Sequence, residues 1–202
     1  MWQNPQRGWF LAVNRFAEAT PGLHAPIRMY AEYGVALFAA LLLLAWWWAR
    51  RDGDPATMAA ALWAPLGTLM AVGLNQPLVN GFHEARPYTL FPHALTLVAR
   101  SQDYSFPSDH AVMAGAVTMG VLLTNRRLGI VAAIAAAVMA FARVYVGAHF
   151  PLDVVVGLLF GAAVALLGWL AARPLLVAAV TGLSHTAVRP LLTTTPPDRA
   201  AR

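Results

Sequence analysis

The sequence predicts an all-α integral-membrane protein, a bundle of about five transmembrane helices with a short amphipathic helix in an outer loop. Two observations carry most of this. Of 202 residues, 59% are hydrophobic and only 11% are charged, a balance that marks membrane proteins. Long uncharged stretches recur, and a bilayer core about 30 Å thick takes about 20 mostly apolar helical residues. A third observation locates function: polar residues gather in one interlude, residues 80–110.

Residues 33–49 form the first uncharged run and end in Trp46, Trp47 and Trp48, suited to an aromatic belt. Residues 55–82 form the second. Beyond the polar interlude, 111–124, 128–142 and 154–172 are uncharged, and the first two reach spanning length once flanking turns are counted. The run 174–188 opens with Pro174, carries Ser184 and His185, and is short for a span, so it is expected to be interfacial. The N-terminal residues lack the order of a signal peptide, because Arg7 precedes only a brief apolar run before Arg15. One membrane domain over 1–202 is expected, with an N-terminal interfacial segment (1–29), a catalytic helical core (30–172) and a C-terminal tail (173–202).

The chain has no cysteine, which excludes disulfides and thiolate chemistry. Its net charge of +5 rests on arginine alone, without lysine, and the arginines sit at loop edges rather than in one patch. Nucleic acid is therefore not the expected partner, whereas an anionic bilayer surface is. Five spans place the termini on opposite sides. One side then holds Arg50, Arg51, Arg126, Arg127, Arg173, Arg189, Arg199 and Arg202, and the other Arg7, Arg15, Arg28, Arg86, Arg100 and Arg143. Eight against six becomes eight against four when Arg86 and Arg143 are set aside for chemistry. The paired arginines are then cytoplasmic, and residues 83–110 and the turn around His149 are extracytoplasmic.

The interlude holds His83, Glu84, His93, Asp103, Asp109 and His110 among Pro87, Pro92 and Pro107. Between His93 and Arg100 the apolar residues Ala94, Leu97 and Val98 recur at helical spacing, predicting the short surface helix. Three clusters lie at span ends: Arg86-Pro87, Phe106 to His110, and Arg143 through His149 to Asp153. Singly, such residues are ordinary interfacial anchors. Ser108 or Asp109 is a natural N-cap for the apolar run that follows, and a helix start offers N–H groups to phosphate. Pro151 suits the first turn of the last span, leaving His149 in a tight turn. Asp153, four residues on, can accept the proton-bearing ring nitrogen of His149, so that the other nitrogen presents its lone pair as a nucleophile. Arg86 and Arg143 can grip phosphoryl oxygens with forked hydrogen bonds, and His110 can protonate a leaving oxygen.

These residues resemble the type 2 phosphatidic acid phosphatases, whose three motifs are Lys-x6-Arg-Pro, Pro-Ser-Gly-His and Ser-Arg-x5-His-x3-Asp. Here the second reads Pro107-Ser108-Asp109-His110, with Asp109 in the glycine place, and the third reads Ala142-Arg143, five residues, His149, three residues, Asp153. The first keeps Arg86-Pro87 but has Val79 in the lysine place. The resemblance covers about residues 30–172. Within the family, SFPSDHA and RVYVGAHFPLD look most like the bacitracin-resistance type of undecaprenyl-diphosphate phosphatase. It implies a phosphohistidine on His149, His110 as acid, Asp153 as orienter, a phosphate site of Arg86, Ser108 and Arg143, and neither metal nor other cofactor. Glu84, His83 and Asp109 are further candidates around the altered first motif. The implied partners are a lipid phosphate or diphosphate and the bacterial cell membrane, with cell-wall carrier lipid as the expected substrate. Phosphatidate, phosphatidylglycerol phosphate or a polyprenyl phosphoribose remain open, as does a non-catalytic lipid-binding protein. A soluble vanadate-dependent haloperoxidase shares such a pocket, but five apolar spans argue against it.

Overall fold

A computed structural model describes residues 5–194. The first residues of the N-terminal segment and the tail beyond 194, with Arg199 and Arg202 of the charge count, lie outside the described residues. The elements are α1 (Pro5–Ala19), a 3₁₀ turn (Pro21–Leu23), α2 (His24–Tyr33), α3 (Val35–Asp52), α4 (Pro55–Phe82), α5 (Pro87–Leu90), α6 (Asp109–Thr124), α7 (Arg126–Tyr145), α8 (Pro151–Leu183) and α9 (Arg189–Leu192). All are helical, and the five predicted spans correspond to α3, α4, α6, α7 and α8.

Local chemistry sets several of the starts. The Asp54 carboxylate accepts from the Thr57 amide at 2.9 Å ahead of Pro55, and the Asn125 side chain accepts from the Leu128 amide at 3.0 Å. Three helices, α4, α7 and α8, are long and apolar enough to cross a bilayer alone, and α3 does so as a bent pair with α2, broken by 54° at Gly34. α6 has only 16 residues, about 24 Å of helix. It is short because it does not face lipid: Ala111, Val112, Ala114, Ala116, Val117 and Val121 are all buried among its neighbours. Leucines on the outer helices, such as Leu69, Leu159, Leu167 and Leu175, are exposed, as lipid-facing residues must be.

α6 lies against α8 at backbone distance. A Cβ added at Gly161 would run into the Val112 carbonyl, and one at Gly157 would meet Ala111 and the Ser108 carbonyl. Gly157, Gly161 and Ala165 repeat every four residues along α8, the small-residue spacing that lets membrane helices approach closely. The Ser108 amide donates to the Asp153 carbonyl at 3.1 Å, so the two helices start level with each other. On the α3 side, Phe38, Leu41, Val117, Val121 and Met139 close the core. At the far end Trp63 donates to the Ala165 carbonyl at 2.8 Å and packs in a cluster with Trp169 and Val180.

Two expectations are corrected. Residues 93–100 are not helical, and the short helix of the outer loop is α5, Pro87–Leu90. Asn14 holds both backbone groups of Leu95, donating to its carbonyl at 2.8 Å and accepting from its amide at 3.1 Å, and the Leu97 amide goes to Val146. Those bonds use the groups a helix would need. Second, residues 174–188 are not a separate segment: α8 runs through Pro174 to Leu183, so residue 172 is helix interior. Leu176, Val177 and Val180 pack on the Met58–Trp63 end of α4, which sustains the helix past its proline. α9 returns to the end of α3, where Trp46 donates to the Leu191 carbonyl at 3.1 Å and Thr194 to Arg50 at 2.9 Å. At the opposite end α1 buries Phe10, Asn14 and Ala17 against the loops and exposes Trp9 and Phe16.

Gly161→Val is expected to overpack the α6–α8 contact by about 1–3 kcal/mol or more, read as a lowered thermal unfolding midpoint in detergent. Gly73→Ala, where nothing lies within 4 Å, serves as the control and leaves the midpoint unchanged or slightly higher. Equal effects at the two sites would contradict the close approach.

Candidate active site

At the α1 end of the bundle, the start of α6, the last turn of α7 with the turn that follows it, and the loop before α6 surround a cavity of about 370 Å³. Its walls include Arg86, Asp103, His110, Arg143 and His149, together with Val79. The residues come from four separate parts of the chain, and each is placed by an identifiable local device.

α7 ends at Tyr145, and the chain reverses through Gly147, whose φ of 79° suits glycine and whose backbone sits against Leu95 and Thr96. The Ala148 amide closes the turn on the Arg143 carbonyl at 3.1 Å, and Pro151 opens α8. His149 is thereby held in the turn at 2% exposure. Its Nδ1 lies 2.8 Å from the Ser105 carbonyl. A carbonyl only accepts, so Nδ1 carries the hydrogen and Nε2 keeps the lone pair. Nε2 faces Arg86, whose Nη1 is 3.2 Å away.

The direct His149–Asp153 bond expected from the spacing is not the dominant one. Asp153 Oδ2 lies 3.5 Å from Nδ1, while it accepts from the Phe150 amide at 2.8 Å and closely from the Ser105 hydroxyl. As the third residue of α8, Asp153 turns back to cap its own helix. Ser105 therefore joins the pair, its carbonyl to the imidazole and its hydroxyl to the carboxylate. Burial, followed by the nearby Arg143 and Arg86 charges, pushes the His149 pKa well below its ordinary value, with the Ser105 carbonyl only partly opposing. The imidazole is neutral.

Arg86 and Arg143 are each 9% exposed. Arg86 spreads over Asp103, with Nη2 to Oδ2 at 2.9 Å and Nε to Oδ1 at 3.1 Å, and its Nη1 also donates to the Ala148 carbonyl at 3.0 Å. Burial works against the Asp103 carboxylate, but hydrogen bonds from Ser101 and Arg86 and the Arg86 charge hold its pKa below the usual value. Arg143 donates to the Ala31 carbonyl at 3.3 Å, and its buried Nε has no hydrogen-bond partner. Two guanidiniums and a lone-pair nitrogen on one cavity can hold a phosphoryl group and attack it.

The PAP2 superfamily matches residues 60–176, more than half the chain. The chain belongs to the PAP2 superfamily. It is 27% identical over 146 residues to the undecaprenyl-diphosphatase BcrC of Bacillus subtilis, covering 72% of each chain. It is 35% identical over 94 residues to an undecaprenyl-diphosphatase of Sulfolobus acidocaldarius, covering 46% of each chain. Among solved structures, a transmembrane PAP2-type phosphatidylglycerolphosphate phosphatase from Bacillus subtilis shares the fold at a TM-score of 0.62 and 20% identity, over 91% of this chain and 88% of that one.

In this PAP2 chain the predicted residues divide. Arg86, His110, Arg143 and His149 share the cavity, and Asp153 stands behind it. Ser108 is at the N-cap position of α6, but its side chain makes no cap bond; it is fully buried, with its hydroxyl unpartnered, and does not line the cavity. Asp109 lines it and accepts from the Asn75 and Gln76 amides of α4 at 2.7 and 3.0 Å. Glu84 touches neither arginine; it accepts from Gln6 at 2.9 Å and ties α1 to the loop. Burial, then the Asp153 charge, raises its pKa, against the Gln6 bond and Arg7. His83 follows α4 in the left-handed region, is exposed, and meets Tyr104 edge-on at 4.6 Å between ring centres, itself outside the lining. Val79 lines the wall as an apolar residue. Among the described residues no three histidine or carboxylate side chains converge as a metal-ligand set.

Ser105 and Glu32, which also contribute to this region, lie outside the three motifs, although Ser105 opens the SFPSDHA segment. Ser105 sits two residues before the second motif, where only the fold reveals that its carbonyl faces His149.

Because the His149 pKa is pushed down, Nε2 stays unprotonated as pH falls to the ordinary imidazole value of about 6.5 and is protonated only well below it. The pH profile of kcat/KM for phosphate release is therefore expected to show no acidic limb centred at or above about pH 6.5. A limb there would contradict a neutral buried His149.

Proposed function

We propose that this membrane PAP2 protein is a lipid phosphatase that hydrolyses undecaprenyl diphosphate to the monophosphate, with His149 as nucleophile. The observation that carries the reading is the imidazole itself: Nδ1 is committed to the Ser105 carbonyl, so Nε2 offers its lone pair inside a cavity walled by Arg86 and Arg143. The undecaprenyl-diphosphatases among the relatives supply the lipid.

In the first step Nε2 attacks the terminal phosphorus, an N–P bond forms, and the bridging P–O bond breaks. His110, on the cavity wall at the start of α6, gives the departing lipid phosphate oxygen its proton. The imidazolium that forms keeps its Nδ1 hydrogen on Ser105, backed by Asp153. In the second step His110 takes a proton from water, the oxygen attacks phosphorus, the N–P bond breaks and inorganic phosphate leaves. Arg86 and Arg143 neutralise the charge on the phosphoryl oxygens in both steps. The cavity end is placed on the extracytoplasmic face of a bacterial membrane, supported by the arginine imbalance toward the opposite loops. The amphipathic α1 would then lie in the outer interface, and the described residues are read as one domain.

Purified protein in detergent, with EDTA present, is expected to release phosphate from undecaprenyl diphosphate faster than from phosphatidate or phosphatidylglycerol phosphate. Preference for either glycerolipid would replace the substrate, and no release from any would overturn the enzymatic reading. His149→Ala is expected to lower kcat by about 10⁴-fold or more while the protein still elutes as the wild type does, since His149 lies in a turn rather than inside a helix. Retained release by that variant would remove His149 as nucleophile.

A further inference from the structure

Arg86 has five N–H groups to offer, and nearly all are already engaged. Nε and Nη2 hold the Asp103 carboxylate, and Nη1 is shared between the Ala148 carbonyl and His149 Nε2. A guanidinium grips a phosphoryl group most strongly through two parallel N–H groups. The pair that Arg86 can present is the pair facing Asp103. Arg86 thus holds a carboxylate where the phosphate reading requires phosphoryl oxygens.

We infer that Asp103 is a displaceable internal competitor for Arg86, a latch that an incoming phosphate dianion must exchange with. The inference rests on the phosphate reading of the cavity.

The burial of the two partners differs in the direction an exchange needs. The Arg86 side chain is 10% exposed and the Asp103 side chain 57%. A released Asp103 returns to water at little cost, whereas a buried Arg86 left without an anion would be strongly unfavourable. The latch therefore opens by replacement and not by spontaneous separation. Its acidic partner is held from the far side as well: the Ser101 hydroxyl donates closely to Asp103 Oδ1, and Ser101 in turn is fastened to Tyr88, whose hydroxyl accepts from the Ser101 amide at 2.9 Å. A buried tyrosine thus keeps the competing carboxylate in reach of the guanidinium.

Asp103→Asn keeps the shape and one acceptor for Arg86 but removes the competing charge. Inorganic phosphate is the probe, measured by its shift of the thermal midpoint of the full-length protein in detergent and as an inhibition constant in the release assay. The variant is expected to bind phosphate roughly three- to tenfold more tightly than wild type. If Asp103 only positions Arg86, its loss weakens phosphate binding and raises KM, the opposite sign. Ser101→Ala, which loosens the carboxylate without altering charge, should move phosphate affinity in the same direction by less, and it tests the latch if the first variant fails to fold. Wild type that responds to phosphate beside variants that bind it equally or less well overturns the latch alone. No response from any of the proteins overturns the phosphate reading and the latch with it.

Discussion

The close approach of α6 to α8 is the contact on which the rest of the site depends. Gly157 and Gly161 let the two backbones meet, and the Ser108 amide on the Asp153 carbonyl sets their starts level. Only then does the residue after Asp109 on one helix share a cavity with the turn before Pro151 on the other. In a bilayer there is little hydrophobic gain from helix contact itself, so close packing of small residues and hydrogen bonds at the ends must supply the association. The short α6 is a consequence: surrounded by α3, α4, α7 and α8, it has no lipid to span.

That arrangement places charged groups beside an apolar bundle, where unpaired polar atoms are costly. The fold meets much of the cost with a chain of partners. Ser105 bridges His149 and Asp153, Asp103 covers Arg86, and Asn75 with Gln76 holds Asp109. The Asp109 case shows how the departures from the family motifs fit together. A carboxylate stands in the glycine place and a valine in the lysine place, and α4 supplies both Val79 and the two amides, one helical turn apart. The wall that lost a cation gained an anion already satisfied by neighbours. In the proposed reading phosphate charge falls to Arg86 and Arg143, which makes the partner of Arg86 consequential.

Helix content and the positions of the five central helices were legible because lipid imposes a length and a composition that show in any window of the sequence. The ends were less legible. Pro174 suggested a break, but the apolar contacts of Leu176, Val177 and Val180 with α4 carry α8 past it. The spacing of Ala94, Leu97 and Val98 suggested a helix that Asn14, some 80 residues earlier, prevents by taking the Leu95 backbone groups. Neither competitor is visible within a local window.

The sequence alone determined the chemical inventory: an arginine-only positive charge, no thiol, two histidines and two arginines at span ends, and the order of those clusters along the chain. Their spacing also determined that His149 stands in a turn, since Pro151 can begin a helix and cannot continue the preceding one. Tertiary structure decided which partner each group takes. The Nδ1–H of His149 donates to the Ser105 carbonyl rather than to Asp153, Arg86 lies on Asp103, Ser108 is shut behind the wall, and Glu84 turns to Gln6. Hydrogen bonds are decided by distances of a few tenths of an ångström between residues far apart in sequence. Hydrophobic length is a property of each segment, and it can be read one segment at a time.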